Sequence, residues 1–507
     1  MKENNQLLGR RTILKAIGVT GVGLGGVGGF NGSVTAATES VSTPIEFWRQ
    51  TYGGNERDVN RDMIQTNDGG YMLVGSTRSF IDGDGNTNAW IVKTDSTGSE
   101  QWHENYIWGT FNSVIQISDG GYILAGDSEA SDDEFWLMRI DSSGVTEWST
   151  YFGGDPAWAF SVVQTDNEKF AAAGGIDRQA GIAKVDSDGN KEWSRTYGGR
   201  AAQDMVYTHD DAFVFVGSVD SGSRQSKGRL TKISNSGNVV WSKLFGGDNR
   251  SGGFGSITRT SDNGFAIAGG IASTSGDSSR TWLVKTDPNG NKDWESTFDV
   301  SPLLLQSIIE TRDNGYALTG LGYRLLKTDS SGNKQWITTF NRGRRAFSVV
   351  QTDEGDYALG GTTDAIEGKS LDFILTKAGF ETEIEIDVKP CNDSNIINAN
   401  KKGVIPVGIK QTDNFDPNDS ESGVIIDSLR FGAPDVVKGG GGAEPAHNGH
   451  TEDVMPCEGD DREDLVVHFS APDTGFNGEE KSSRLEGKTE DGISLVGTDS
   501  IKFVGRR

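Results

Sequence analysis

Short runs in which apolar and polar residues alternate, separated by glycine-rich turns, recur through the middle of the chain, over residues 44–379. Alternation with a period of two predicts β-strands, and Asp-Gly-Gly or Gly-Gly turns between the strands predict hairpins. One such phrase, a turn followed by an apolar strand, occurs seven times, at residues 66–75, 118–126, 166–174, 209–217, 261–265, 312–316 and 353–357. The region is therefore a repeat in which each copy is one structural unit.

A second phrase follows the first and ends on a tryptophan; its clearest copy runs from Lys93 through Asp95 and Gly98 to Trp102. Further tryptophans follow at intervals of 42 to 53 residues, at Trp148, Trp193, Trp241, Trp294 and Trp336. Each unit then holds four short strands, which predicts the blade of a β-propeller. We expect the repeated aspartate to close its turn and the tryptophans to pack between blades, so neither is assigned to catalysis.

The two ends of the repeat region complement each other. The last copy, residues 346–379, has three strands and no tryptophan, whereas residues 46–54 form a single strand with Trp48 before the first copy. An N-terminal strand that completes the last blade closes the ring and removes its free sheet edges. The sequence therefore predicts an all-β protein with a seven-bladed β-propeller closed by an N-terminal strand.

A different pattern follows in residues 380–507. Short apolar runs at residues 384–388, 404–409, 424–431, 465–469 and 493–496 predict a small β-sandwich. The expected division is a targeting segment, a linker, the propeller and this C-terminal module, at residues 1–36, 37–43, 44–379 and 380–507.

Residues 1–36 have the features of a twin-arginine signal peptide. Arg10 and Arg11 precede a weakly apolar, glycine-rich stretch over residues 16–30, and Ala36 ends a small-residue cleavage site. No later apolar run is long enough to cross a membrane. We expect export by the twin-arginine pathway to an extracellular or cell-surface location, without a transmembrane segment.

The repeat motifs resemble a family of exported prokaryotic β-propeller-repeat proteins. The family phrases W-x-x-T-[YF]-G-G, Q-T-x-D-G-G-Y-x-L-A-G and K-T-D-x-x-G-x-x-x-W match this chain over residues 44–379. The resemblance implies the propeller fold, but it implies no single function, because such repeats occur in proteins of many roles.

The C-terminal segment resembles a module common at the ends of exported bacterial and archaeal proteins. The module's phrases I-D-I-K-P-G, G-V-I-P-V-A-I and H-D-G-H-V-E-D-V appear in altered form at residues 386–391, 403–409 and 447–454. Cys391 stands in place of the family's glycine, and Cys457 lies in a lengthened loop. In an exported protein these departures imply a Cys391–Cys457 disulfide, the alternative being two free thiols.

Calcium is the one cofactor that the sequence suggests, at two places. In the first repeat, Asp82, Asp84 and Asn86 put oxygen ligands at alternate positions of a loop, although a solvated loop explains them equally well. The lengthened C-terminal loop offers further carboxylates that can surround one Ca²⁺: Asp453, Glu458, Asp460, Asp461 and Asp464. The alternative is that the disulfide has replaced the ion. A zinc cluster of His447, His450, Asp453 and His468 is the weaker interpretation of the H-x-x-H phrase, and a turn-stabilising role is preferred.

The charge balance is strongly acidic, with 73 Asp and Glu against 48 Lys and Arg and a formal net charge of −25. A surface of this charge repels phosphate backbones, so we expect no nucleic-acid partner. Molar salt screens such self-repulsion, and the composition therefore indicates a salt-loving organism of the haloarchaeal type.

Against this acidic background, basic and aromatic residues occur in the loops that join one blade to the next: Arg57, Trp108, Trp158, Arg200, Arg250, Arg342, Arg344 and Arg345. Guanidinium groups pair with carboxylates or sulfates, so these loops suit an anionic glycan. The alternative is local salt bridging to Glu56, Asp58, Asp204 and Asp248.

These observations favour an exported, non-catalytic binding or surface-scaffold protein whose partner is an extracellular glycan or a surface protein. The alternative is a polysaccharide-degrading enzyme that uses loop carboxylates on the same face. A quinone-dependent dehydrogenase is disfavoured, because no motif announces a cofactor pocket.

Overall fold

The structure is a computed structural model. It describes residues 43–504 except 82–86, 107, 129–133, 154–155, 222–224, 248–249, 274–278, 300–305, 364–369, 391–393, 399–402, 413–414, 421–422, 439, 448–449, 452–462 and 491–492. The expected signal peptide and nearly all of the linker therefore lie outside the described residues. Within the described ranges, no helix has the length and apolar character that crossing a bilayer requires.

The repeat region is built from strands alone in its described part. They are β1 (Ile45–Tyr52), β2 (Asp58–Gln65), β3 (Tyr71–Thr77), β4 (Asn88–Thr94), β5 (Glu100–Tyr106), β6 (Gly109–Gln116), β7 (Tyr122–Ser128), β8 (Glu134–Ile140), β9 (Thr146–Phe152), β10 (Ala157–Gln164), β11 (Phe170–Ile176), β12 (Gln179–Val185), β13 (Lys191–Thr196), β14 (Ala202–Thr208), β15 (Ala212–Asp220), β16 (Ser226–Ser234), β17 (Val239–Phe245), β18 (Arg250–Arg259), β19 (Phe265–Ser273), β20 (Arg280–Thr286), β21 (Lys292–Phe298), β22 (Ser307–Glu310), β23 (Tyr316–Thr319), β24 (Arg324–Thr328), β25 (Lys334–Thr339), β26 (Gly343–Gln351), β27 (Tyr357–Thr363) and β28 (Phe373–Gly379).

These strands form seven four-stranded antiparallel sheets among the described residues. Sheets 1 to 6 each contain four consecutive strands, from β2–β5 to β22–β25. Sheet 7 contains β26, β27 and β28, and its fourth strand is β1, which pairs with β28 so that Tyr52 lies opposite Phe373. The all-β class and the repetition of four-stranded sheets confirm the coarse prediction from the sequence and agree with a β-propeller.

The first strand of each sheet packs against the first strand of the next sheet, from β2 on β6 through to β22 on β26, and β26 packs on β2. The sheets are therefore arranged around their first strands, with the later strands farther out. This arrangement positions residues of the first strands next to one another although they are far apart in sequence.

The repeated lysines and aspartates hold the turns, as expected from their recurrence. The Asp95 carboxylate accepts the backbone N–H groups of Thr97 and Ser99, both at 2.9 Å, and so closes the turn between β4 and β5. Buried Lys93 donates to the Asp68 carboxylate at 2.8 Å and to the carbonyl of Thr94 at 2.8 Å. The same lysine–carboxylate pair recurs at Lys285–Asp262 and Lys327–Asp313.

The tryptophans of the fourth strands connect neighbouring sheets. The Trp102 ring of sheet 1 lies over the turn of sheet 2, where a Cβ atom on Gly144 would be 3.1 Å from it. Trp48 on β1 lies in the same way over Gly98 of sheet 1, and its ring meets Tyr71 edge-on at 6.0 Å. The packing role expected of the tryptophans therefore extends to the strand from the N-terminal end.

The C-terminal region has its own strands and short helices. They are β29 (Glu381–Ile384), β30 (Ile386–Val388), β31 (Ile396–Ile397), β32 (Val404–Ile409), a 3₁₀ turn (Ile426–Ser428), β33 (Arg430–Gly432), α1 (Pro434–Lys438), β34 (His450–Thr451), β35 (Leu465–Ser470), a 3₁₀ turn (Ala471–Thr474), β36 (Ser482–Lys488), β37 (Ser494–Ser500) and β38 (Lys502–Phe503).

Two four-stranded sheets form in this region, in the orders β29-β37-β36-β33 and β30-β32-β35-β34, and β31 pairs with β38. One hydrophobic core takes residues from both four-stranded sheets, including Phe431 and Leu485 of the first and Val407 and Phe469 of the second. A core shared between two sheets is the arrangement of a β-sandwich. The boundary at residue 380 remains a prediction.

Candidate functional site

A shared irregularity shapes the first strands. Six of them carry a β-bulge at the same place in the repeat. The bulge adds one residue and turns the following side chain toward the neighbouring sheet. The bulge residues are Arg61, Asn112, Phe160, Gln203, Gly255 and Phe347.

A small oxygen-bearing residue follows each bulge, and in four of the six sheets it accepts a backbone N–H of the next sheet. The Asp62 carboxylate accepts the Val114 N–H at 3.0 Å, and the Ser113 hydroxyl accepts the Val162 N–H at 3.3 Å. The same contact joins Asp204 to Ile257 N–H at 2.9 Å. We call this set of positions the inter-sheet ring; it comprises Asp62, Ser113, Ser161, Asp204, Ser256 and Ser348.

Two members of the inter-sheet ring are carboxylates. Burial raises the pKa of Asp62 to about 7, although hydrogen bonds from the Val114 and Met63 N–H groups lower it; repulsion from Asp204 adds to the rise. Burial likewise raises the pKa of Asp204, against the N–H of Ile257 and the hydroxyls of Ser161 and Ser256. The donors around both carboxylates indicate a role in holding the sheets together.

A group of arginines lies where sheet 7 meets sheet 1. The guanidinium carbons of Arg61 and Arg345 lie 5.5 and 5.4 Å from the centre of the same Phe347 ring. Burial lowers the pKa of both arginines, and the charges of Arg345 and Arg57 lower that of Arg61 further, against the effect of Asp127. Arg344 acts on Arg345 in the same way. We call Arg57, Arg61, Arg344 and Arg345 the arginine cluster.

The arginine cluster is not neutralised by ion pairing. Among the described residues, none of its four side chains forms an ion pair or donates a hydrogen bond. The adjacent carboxylate of Asp58 is already bound by the hydroxyls of Thr77 at 2.5 Å and Ser79 at 2.7 Å. Like charges held close together in an acidic protein favour binding of an external anion.

The other residues expected at this face behave differently. Arg200 pairs with Asp220 at 3.0 Å, and Arg250 approaches Glu295 at 3.8 Å. These are local salt bridges, but with other carboxylates than the Glu56, Asp58, Asp204 and Asp248 named from the sequence. Arg342 is exposed, in the left-handed backbone region with φ 67°, and forms no ion pair with any described residue.

The two tryptophans expected at this face are half-buried. The backbone N–H of Trp108 donates to the Asn88 side chain at 3.2 Å. Trp158 packs beside Phe160, with 6.2 Å between the ring centres, and its indole lies against Gly175. The structure therefore brings Arg57, Arg344 and Arg345 together without the other five predicted residues.

Arg61 belongs to the cluster but escaped the sequence reasoning. It lies inside β2 and not in a joining loop, so the search for loop arginines passed over it. A signal was present, because Arg61 is the only basic residue among the six bulge positions.

The proposed metal ligands and the disulfide fall mostly outside the described residues. Outside lie both cysteines, Cys391 and Cys457, and the ligands Asp82, Asp84, Asn86, Asp453, Glu458, Asp460 and Asp461. Asp464 is buried and accepts the Gln411 N–H at 2.9 Å. In the part of the chain that the structure describes, no three His, Cys, Asp or Glu side chains are grouped as a metal site requires. The disulfide and the calcium sites remain predictions.

No protein-family model and no curated protein matches the chain. Among solved structures, the chain is similar to the WD40 β-propeller domain of Doa1, with 15% identity, a TM-score of 0.46, and coverage of 66% of this chain and 96% of that one. It is also similar to proteins of unknown function from Dyadobacter fermentans (11% identity, TM-score 0.43, coverage 67% and 99%) and Bacteroides caccae (13%, 0.35, 53% and 93%). With every TM-score below 0.5, these similarities establish neither fold nor function by themselves.

Proposed function

We propose that this chain is an exported, non-catalytic binding or surface-scaffold protein that recognises an anionic glycan through the arginine cluster. The observation that carries the proposal is a cluster of four arginines that form no ion pair with any described residue, two of them against Phe347, in a chain of net charge −25. Guanidinium groups bind carboxylates and sulfates bidentately, and an aromatic ring offers a stacking surface for a sugar. Such a site attracts a polyanion that the rest of the surface repels.

The proposal includes a platform for the site. The seven sheets act as blades of a closed seven-bladed β-propeller, with β1 completing the last blade and residues 380–507 following as a separate module. The packing of β26 on β2 and of Trp48 over Gly98 supports closure. In that arrangement the arginine cluster lies at one mouth of the central channel, where the first strands begin.

The proposed location outside the cell follows from the signal peptide and the acidic composition. The twin-arginine signal at residues 1–36 delivers the folded chain outside the cell, and the acidic surface keeps it soluble in concentrated salt. A cell-surface protein is the alternative partner at the same face.

Binding to defined polymers tests the proposal. Alginate supplies carboxylates, heparin supplies sulfates, and dextran is the neutral control, each mixed with the exported chain and followed by isothermal titration calorimetry. The double variant Arg61→Gln/Arg345→Gln is expected to weaken binding of alginate or heparin about tenfold or more, since each lost charge-assisted hydrogen bond is worth roughly 1.5–3 kcal/mol. The matched control is Arg200→Gln/Arg250→Gln, which removes two arginines that already have partners.

Two results contradict the proposal: absence of binding to both polyanions, or equal loss of affinity in the two double variants. Polymer mass, followed by light scattering in the same mixtures, addresses the enzyme alternative. A falling polymer mass would replace the binding proposal with a hydrolytic one.

A further inference from the structure

A cavity of about 570 Å³ lies between sheets 4 and 5, at the end of the sheets where the first and second strands are joined. The arginine cluster is at the opposite end of the first strands. The cavity is lined by side chains of both signs and by two apolar residues, among them His209, Lys232, Arg259, Phe265, Pro288 and Glu310. Its volume lies in the range of sites for small molecules.

The cavity coincides with a break in the repeat. In four sheets the first strand ends on glutamine, at Gln65, Gln116, Gln164 and Gln351. The Gln116 amide oxygen accepts the Asn67 N–H of the preceding sheet at 2.8 Å, and Gln351 accepts the Arg312 N–H at 2.9 Å. In sheet 6 the Glu310 carboxylate does the same for the Ser261 N–H at 2.7 Å. These three bonds each tie a turn to the next sheet.

Sheet 5 has Arg259 at this position, and an arginine side chain has no acceptor. Its guanidinium turns to the Tyr207 carbonyl, which it reaches at 3.0 Å. Among the described residues the His209 N–H consequently has no hydrogen-bond acceptor. Arg259 therefore bonds the end of β14 and not the turn that follows it, and the cavity lies beside the unbonded His209 N–H.

Both carboxylates that line the described part of the cavity already accept hydrogen bonds. The Asp210 carboxylate is held by Lys232 at 2.6 Å, and the Glu310 carboxylate is held by the Ser261 N–H and hydroxyl. The remaining groups are the His209 N–H, its imidazole, the Asn263 side-chain amide and the other N–H groups of Arg259. Phe265 and Pro288 supply the apolar part of the wall.

We propose that this cavity binds a small carboxylate that carries a ring, either a sugar acid or an aromatic acid. The carboxylate pairs with the Arg259 guanidinium and accepts the His209 N–H, taking the place that the glutamine oxygen has in sheets 2 and 7. The ring lies against Phe265 and Pro288. This site is independent of the proposed glycan function, because it shares no residue with the arginine cluster.

The repeat itself supplies the test variant. Arg259→Gln restores the residue of sheets 1, 2, 3 and 7, so its side chain is expected to accept the His209 N–H and close the cavity. The matched control is Arg280→Gln, which removes an arginine that pairs with exposed Asp299. Binding of glucuronate and benzoate is measured by calorimetry, with glucose and benzamide as their neutral counterparts.

The expected result is binding of one of the two acids, weakened at least tenfold by Arg259→Gln and unchanged by Arg280→Gln. Which acid binds distinguishes the sugar acid from the aromatic acid. The proposal is overturned if neither acid binds, if the neutral counterparts bind equally well, or if Arg259→Gln binds like the original chain. Thermal unfolding of Arg259→Gln verifies that the variant is folded, since a restored bridge should leave the melting temperature the same or higher.

Discussion

Asp62 departs from the serines of the inter-sheet ring, and the departure has a cost at neutral pH. Burial disfavours the charged form of its carboxylate and raises its pKa to about 7. It also takes the Met63 N–H at 2.8 Å, while the buried Ser348 hydroxyl of sheet 7 has no hydrogen-bond partner. A serine at this position would accept the Val114 N–H and leave the Met63 N–H to Ser348, as in the other sheets.

We therefore predict that Asp62→Ser changes how stability depends on pH. A carboxylate whose pKa is raised in the folded state is bound to its proton more tightly there than in the unfolded chain, so the original protein gains stability as pH falls from above 7 to below 4. Relative to the variant, this gain amounts to roughly 2 to 4 kcal/mol. Urea unfolding at pH 8, 6 and 4.5 measures the difference, and a constant difference across these values would contradict the assignment.

Asp204→Ser is the companion variant. Asp204 accepts the hydroxyls of Ser161 and Ser256, both at 2.9 Å, in addition to the Ile257 N–H. The loss of these bonds outweighs the gain from removing a buried charge. Asp204→Ser should therefore lower the free energy of unfolding at pH 8, unlike Asp62→Ser.

At the residue scale, sequence reasoning found the loop arginines but could not tell which are paired. Arg57 and Arg200 lie in joining loops and Arg344 lies at the start of β26, and their type alone marks all three as anion ligands. The partner of Arg200 is Asp220, on a neighbouring strand of the same sheet. Ion pairing of this kind depends on register and on side-chain direction, which apolar periodicity does not encode.

At the scale of the element, the turn between the third and fourth strands depends on glycine. Gly98 has φ +79°, and a Cβ there would lie 2.7 Å from the Trp48 ring. We predict that Gly98→Ala lowers the free energy of unfolding by roughly 2 to 4 kcal/mol, from the left-handed backbone and from displacement of the indole. Denaturant unfolding in high salt measures the loss.

Gly153→Ala is the control for this substitution. Gly153 follows β9, is exposed, and a Cβ there would meet no atom within 4 Å. The change should be within about 0.5 kcal/mol of zero. Equal losses of unfolding free energy in the two alanine variants would show that the packing of Trp48 does not require a glycine at position 98.

The four-stranded unit was predictable because its signals are local: alternation, turn residues and a terminal tryptophan lie within one copy. The inter-sheet ring was not predictable in the same way. Its members, such as Ser113 and Asp204, look like ordinary strand polar residues, and their role appears only when neighbouring first strands are in contact. The cavity at Arg259 has a signal in the sequence, because arginine replaces the repeated glutamine. The effect of this replacement is not visible in the sequence, since the hydrogen bond that the glutamine makes to the preceding turn appears only in the structure.

At the scale of the whole molecule, β1 joins the two ends of the repeat region, and its removal gives the last prediction. A chain that begins at Gly53 leaves the edge of β28 unpaired and uncovers Gly98 and Tyr71, where Trp48 packs. An open strand edge pairs with other chains, so we expect lower stability and self-association, measured by light scattering in high salt. A chain that begins at Thr43 keeps β1 and is the reference. Trp48→Ala keeps the strand but lacks the indole, and it should lose stability without additional association. A peptide of residues 43–54 should return the shortened chain to the association state of the reference. If the shortened chain is as stable and as monomeric as the reference, β1 does not close the ring.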